Sequence, residues 1–427
     1  MRDFAPEAAA TRRRIAETLL AVFDRWGFSR VITPAFEYED VLALGLGSAG
    51  RAAAIRFVEP SSGQVVALPP DITPQIARLI ATRFRDEAGP LRLSYEGTVV
   101  RLDQRARSQR EIIQAGVEMA GVAGPRGDAE IVALAAAALE AVGFAEVTID
   151  LGHLGLAREV LDALGLPEDA RAEVRNRIAK RDRAGLAELL KGARGPRSVV
   201  EFAALLPELS GPPELLTRAI ARAPSRPAGI RRALQQLAEL LAELRRHPVP
   251  ARLHVDLSEV RGFDYYTGMR VQGYVHGAAE AVLQGGRYDD LLARYGRSSP
   301  AVGFAIDVEA TAGALEQLAE QRTPRPPGSR STNGVGSAGG VGHVGGNGVG
   351  HGPARDGGVL VSGPLDDALA AAQALRRNGR RAAVEHAGLG GEALLAYARR
   401  WHFNEVKKLG AGRGRAGRAG STKIRRQ

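Results

Sequence analysis

The segment Glu259-Val-Arg261-Gly262-Phe-Asp264-Tyr265-Tyr266-Thr-Gly268, with Gln284-Gly285-Gly286-Arg287-Tyr288-Asp289 shortly after it, decides how the chain is read. Both polar stretches interrupt short apolar runs with strand character, at Arg252 to Leu257, Met269 to Tyr274 and Ala281 to Leu283. Strands so close together leave no room for crossover helices, so several of them are expected to pair antiparallel. The same pattern recurs upstream, with strands predicted at Arg30 to Pro34, Ile55 to Val58, Val65 to Leu68, 91 to 101, 112 to 120 and Glu146 to Leu151. Helical spacing of apolar residues predicts helices over 6 to 28, Thr73 to Arg85 and Asp128 to Val142. The expected fold class is α+β, a mixed and mostly antiparallel sheet flanked by helices.

Two further segments are polar inside apolar surroundings. Leu68-Pro-Pro-Asp71-Ile-Thr73-Pro puts a carboxylate and a hydroxyl at the start of a helix, where either could simply be the N-cap. On the strand that contains Gln114, Gly116 and Glu118, alternation puts these three on one face. Buried, such a stripe needs a partner, and a ligand cation is one; a solvated sheet face is the other reading. Carboxylates at Asp71 and Glu118, a guanidinium at Arg261 and hydroxyls at Tyr265 and Tyr266 make a set suited to an amino acid, with carboxylates for its ammonium, arginine for its carboxylate and the rest for a polar side chain.

Over roughly residues 1 to 320 the chain resembles the histidyl-tRNA synthetases, of the class II aminoacyl-tRNA synthetase family. RGFDYYTG at 261 to 268 resembles the histidine signature of that family, and GGRYD at 285 to 289 its second histidine motif. GFSRVITPAFE at 27 to 37, with Pro34, resembles the dimer-interface motif, and EGTVVRLDQRARSQREIIQAGVE at 96 to 118 resembles the second class II motif. The resemblance implies a class II synthetase-like fold and sets Asp71, Thr73, Arg101, Gln114, Glu118, Arg261, Tyr265 and Tyr266 around histidine, with Arg101 where the synthetases touch the ATP α-phosphate and the amino-acid carboxylate.

The nucleotide side departs from the synthetase pattern. Charge that builds at an α-phosphate has to be met by positioned cations. Here Asp307-Val-Glu309-Ala310 replaces a motif that ends in an adenosine-stacking arginine, and alanine supplies neither charge nor a plane. Leu102 to Gln109 also lacks the family's Pro-Gln-x-Gly-Arg tip, and Pro69 stands where an arginine is usual. This combination resembles the synthetase-derived regulatory subunits that pair with the short catalytic form of ATP phosphoribosyltransferase, the first enzyme of histidine biosynthesis. It implies a non-catalytic cytoplasmic protein with no cofactor and no metal. Such a protein dimerises, joins catalytic subunits in a hetero-octamer, is needed for their activity and mediates feedback inhibition with histidine as effector; tRNA is not an expected partner. A divergent histidyl-tRNA synthetase is the alternative, and an RNA-binding protein of synthetase descent a third reading.

Composition is consistent with this. A chain of 427 residues, 44% hydrophobic, can build two or three cores. It has no cysteine, which excludes disulfides, thiolate metal sites and a cysteine nucleophile. No run is long and apolar enough to cross a membrane, and the amphipathic N-terminus does not read as an export signal. Eight lysines and arginines against Glu405 in residues 404 to 427 leave that stretch at +7 of the net +10, so the body of the chain lacks a dedicated nucleic-acid surface. The organisation read from the sequence is a core at 1–322 with a helical insertion at about 156–250, a Gly/Pro-rich flexible linker at 323–357, a small α/β unit at 358–404 and a basic disordered tail at 405–427. The G-x-G-x-x-G matches at Gly45 to Gly50 and Gly412 to Gly417 do not link a strand to a helix as dinucleotide binding requires, and His343 and His351 are isolated in the linker.

Overall fold

The computed structural model describes residues 3–102, 110–260, 265–322, 357–410 and 420–424. The chain begins with α1 (Pro6–Arg25) and β1 (Ser29–Arg30). A small antiparallel sheet follows, β2 (Glu37–Tyr38), β3 (Ile55–Val58) and β4 (Val65–Leu68), with α2 (Glu39–Gly45) and α3 (Ser48–Ala53) between its first two strands. Next come α4 (Thr73–Arg83), the long strands β5 (Leu91–Val100) and β6 (Glu111–Ala120), α5 (Pro125–Val142) and β7 (Val147–His153). Helices α6 (Leu154–Ala163), α7 (Glu168–Ala179), α8 (Arg183–Leu190), α9 (Arg197–Leu205), α10 (Leu215–Arg222) and α11 (Ala228–Leu244) form the insertion, with the short strand β8 (Ser210–Gly211) among them. The chain returns through β9 (Arg252–Asp256), β10 (Met269–Val275), β11 (Leu283–Arg287), β12 (Ala301–Asp307) and α12 (Val308–Arg322).

Nine strands form the central sheet in the order β1-β5-β6-β12-β11-β10-β7-β9-β8. Only β1–β5 and β7–β9 pair parallel; the other pairs are antiparallel. The central strand β12 was not among the strands expected from sequence, because Ala-Val-Gly-Phe-Ala-Ile is a continuous apolar run without alternation. Helix α5 lies across this sheet, and its buried Ala129, Ala133, Ala135, Ala136 and Ala138 are small enough for α1 and α11 to approach its flanks. Helix α1 turns Ile15, Leu19, Val22 and Phe23 inward at helical spacing, and α11 does so with Ile230, Leu234, Leu237, Leu240 and Leu244.

The C-terminal unit is larger than read from the sequence. Strands β13 (Gly358–Ser362), β14 (Ala382–Val384), β15 (Phe403–Lys408) and β16 (Gly420–Lys423), with α13 (Leu365–Arg377) and α14 (Gly391–Arg400), give a four-stranded sheet in the order β14-β13-β15-β16. Residues 403–408 and 420–423 are therefore strands, which corrects the reading of 405–427 as one disordered tail. The charge of that stretch hid two core residues, Phe403 and Val406, which are three apart rather than alternating because the pairing with β13 shifts register between Gly358 and Val359. The unit is docked on the main body. Tyr397 donates to the Pro90 carbonyl at 2.7 Å, and Arg92 donates to the Val384 carbonyl at 2.9 Å and to Glu130 at 3.1 Å. Gly27, with φ of +88°, makes the turn after α1, and a Cβ there would come within 2.7 Å of Ala383, so the same glycine serves the turn and the docking.

Candidate functional site

Pro74 in the first turn of α4 fixes where that helix starts, and Asp71 precedes it. Asp71 Oδ1 accepts the Thr73 N–H at 3.2 Å, a local turn bond just ahead of a helix whose N-cap is Ile72, while Oδ2 accepts the Tyr265 hydroxyl. The turn bond and the site contact are thus held by different oxygens of one carboxyl, and neither Asp71 nor Thr73 is the N-cap. Thr73 Oγ1 in turn donates at 2.7 Å to Glu118 Oε1, which also accepts the Tyr95 hydroxyl at 3.4 Å; Tyr288 donates to Oε2. Strand register brings these groups together: Tyr95 on β5 lies opposite Gly116 on β6, and Glu118 lies between Leu93 on β5 and Gly303 on β12. Two glycines leave the necessary room. A Cβ at Gly116 would meet the Tyr95 ring at 2.5 Å, and a Cβ at Gly303 would lie 1.8 Å from Glu118 Oε2.

The tyrosines form a cage beside the carboxyls, with centroids 4.8 Å apart for Tyr265 and Tyr266 and 5.7 Å for Tyr265 and Tyr288, the latter edge-on. Glu118 is 1% exposed. Burial pushes its carboxyl up to about 8, against the hydrogen bonds from Tyr288 and Thr73 that favour the ionised form. Burial likewise raises the phenols of Tyr95, Tyr265, Tyr266 and Tyr288, keeping them neutral donors. Two carboxyls, the Thr73 hydroxyl and four phenols, all buried, are complementary to a ligand that brings positive charge and N–H donors.

The structure brings Asp71, Thr73, Glu118, Tyr265 and Tyr266 together. Gln114 lies farther along β6 on the face of Glu118, buried, and its Oε1 meets no hydrogen-bond partner among the described residues. Arg101 donates through Nε to the Pro70 carbonyl at 2.7 Å and so holds the backbone before Asp71. Arg261 lies outside the described residues. Tyr95 and Tyr288 were not singled out from the sequence as site residues, although Tyr288 stands in GGRYD and Tyr95 immediately precedes the segment that begins at Glu96.

At the start of α12, Asp307 Oδ1 accepts the Ala310 N–H at 2.9 Å and Glu309 pairs with Arg12 at 2.6 Å. Ala310 is half-buried against the core, so no cation comes from this position. Among the described residues, no group of three or more His, Asp or Glu is placed to hold a metal ion, and no helix is long and apolar enough to cross a membrane.

By this sheet, its site motifs and the histidyl-tRNA synthetase family model, which matches residues 1–311, the chain belongs to the histidyl-tRNA synthetase family. Its relatives in sequence include ATP phosphoribosyltransferase regulatory subunits. The one from Geobacter metallireducens is 42% identical over 316 residues, 74% of this chain and 72% of that protein. The one from Anaeromyxobacter sp. strain Fw109-5 is 43% identical over 334 residues, 76% of this chain and 94% of that protein. A crystal structure of a histidine–tRNA ligase subunit from Alicyclobacillus acidocaldarius matches with a TM-score of 0.64 at 29% identity, covering 74% of this chain and 96% of that one. An ATP phosphoribosyltransferase regulatory subunit/histidyl-tRNA synthetase from Bacillus halodurans shares the fold across 96% of this chain and 97% of its own, with a TM-score of 0.67 at 23% identity.

Proposed function

We propose that this chain is the regulatory subunit of an ATP phosphoribosyltransferase, without catalytic activity of its own, and that it reports histidine to a short catalytic partner in the cytoplasm. The observation that carries the proposal is the contrast between the two sides of the synthetase-like site. Asp71, Thr73, Glu118, Tyr265 and Tyr288 are joined by hydrogen bonds on the amino-acid side, whereas α12 opens with Ala310 where a synthetase stacks adenosine on arginine. Histidine fits this pocket with its ammonium at Asp71 and Thr73, its imidazole among Glu118, Gln114 and the tyrosines, and its carboxylate toward Arg101 and Arg261. Feedback inhibition then requires histidine to bind two states of the assembly with different affinity.

Self-association is supported by a cluster of exposed apolar side chains around the small sheet, Ile32, Phe36, Tyr38, Phe57 and Val58, with the Phe36 and Phe57 rings 5.9 Å apart. Two copies meeting there give the dimer from which a hetero-octamer with catalytic subunits is built. Ile32→Asp is expected to turn the dimer into monomers in light scattering after size exclusion; an unchanged mass would place the interface elsewhere. The functional test combines calorimetric titration with histidine and with ATP and Mg²⁺, histidine-dependent pyrophosphate exchange, and the rate of a short catalytic subunit with this chain added. Histidine binding, activation of the partner and no exchange are expected. Robust exchange would make the protein a synthetase despite Ala310.

A further inference from the structure

A cavity of about 580 Å³ opens where three parts of the chain meet. The turn into α5 supplies Pro125 and Arg126, α11 of the insertion supplies Glu239 and Glu243, and the C-terminal unit supplies His386. The volume lies within the range of small-molecule sites. The His386 side chain is 2% exposed, and its Nε2 stands 2.6 Å from Glu130 Oε2. Glu130 also has Arg92 at 3.1 Å and Arg376 at 4.0 Å. Burial pushes the Glu130 carboxyl up, but Arg92, His386 and Arg376 together hold it below the usual carboxylate range. An ionised carboxylate only accepts, so the imidazole turns an Nε2–H toward it. That leaves Nδ1, which is buried and has no hydrogen-bond partner among the described residues.

The other walls have opposite character. Helix α5 has 18 residues, begins after Gly124 and has no side-chain cap, so first-turn N–H groups and the positive end of the helix dipole face this region beside the exposed Arg126 guanidinium. Glu239 and Glu243 stand one turn apart on α11, and Glu243 also has Arg246 at 3.3 Å.

We propose that this junction cavity binds a small zwitterion of the amino-acid class. Its carboxylate lies at the N-terminus of α5 and Arg126, its ammonium group on Glu239 and Glu243, and a polar side chain reaches His386 Nδ1. The site shares no residue with the Asp71 and Glu118 pocket and does not depend on what that pocket binds. A molecule held there touches the core, the insertion and the C-terminal unit at once, and so stabilises their mutual docking.

The test uses the full-length chain carrying Asp71→Asn, which removes the carboxylate charge that would hold an ammonium group in the other pocket, and the twenty common amino acids one at a time in thermal-shift and calorimetric titrations. At least one of them is expected to bind. Arg126→Gln and Glu239→Gln, at exposed side chains, are each expected to weaken that binding about tenfold, the scale of one charge-assisted hydrogen bond. His386→Gln keeps an N–H for Glu130 but has no second ring nitrogen, and is expected to give a similar loss with the melting temperature of the empty protein unchanged. If no amino acid binds, or if binding is indifferent to both Arg126→Gln and Glu239→Gln, the proposal fails. It also fails if sodium phosphate competes as well as the amino acid does, because the site then takes bare anions.

Discussion

Replacing Glu118 with glutamine tests the electrostatics of the tyrosine pocket directly. The wild-type carboxyl is raised from 4.5 to about 8, so between those values the folded protein holds a proton that the unfolded chain has released. Stability therefore falls as pH rises, by about 1.4 kcal/mol per pH unit for this one group. Across the interval from pH 5 to pH 8 that amounts to about 4 kcal/mol. Glutamine is close in size, cannot ionise, and can still accept the Thr73 hydroxyl through its amide oxygen. Urea denaturation of both proteins at pH 5, 6.5 and 8, at one protein concentration, isolates the effect, since every other titrating group cancels in the difference. The variant is expected to gain on the wild type steadily with pH. A difference that stays level would refute the reasoning, because it would mean that Glu118 is already ionised in the empty pocket. The same linkage predicts that a cationic ligand drives the proton off Glu118, so that proton release on histidine binding is seen in the wild type and lost in Glu118→Gln.

Gly303→Ala brings a methyl group onto Glu118 Oε2 and within 2.3 Å of the Val117 carbonyl; it is expected to cost about 1–3 kcal/mol of stability and to weaken histidine binding, and unaltered titration would show that the carboxyl moves aside freely. His153 caps α6 and is lowered by burial to about 4, so the folded protein binds fewer protons than the unfolded chain between pH 4 and 6.5 and loses stability as pH falls through that window. His153→Asn keeps a capping oxygen and removes the titration; its stability relative to wild type is expected to rise by about 3 kcal/mol from pH 6.5 to pH 4, and a constant difference would contradict this. Arg92→Met leaves Glu130 buried without its main partner, for a loss of about 3–5 kcal/mol in thermal or chemical unfolding; a change within 1 kcal/mol would show that His386 and Arg376 suffice.

The elements most legible in the sequence were those with an unambiguous period. Helices α1 and α5 and strands β5 and β6 lie within a few residues of where apolar spacing put them. Strand β12 escaped because it is buried on both faces, so its sequence carries no alternation from which to read a face. Strands β15 and β16 were lost inside a count of lysines and arginines, although Phe403 and Val406 carried the signal. At the site, Asp71, Thr73 and Glu118 were recognisable because polar residues in apolar surroundings demand partners. Tyr95 and Tyr288 were not recognisable one by one. What places them on Glu118 is the register of β5 against β6 and of β11 against β12, which is set by pairing between residues far apart in the chain.

The nine-stranded sheet ends on one side in β1 and on the other in β8, each only two residues long. The stubs themselves offer almost no row of free backbone N–H and C=O groups, which discourages the edge-to-edge aggregation that long open edges invite. A second copy or a catalytic partner that approaches this body at these stubs meets side chains rather than a long backbone edge. Its choice of partner is therefore written in individual surface residues, where single substitutions can retune it without disturbing the backbone beneath.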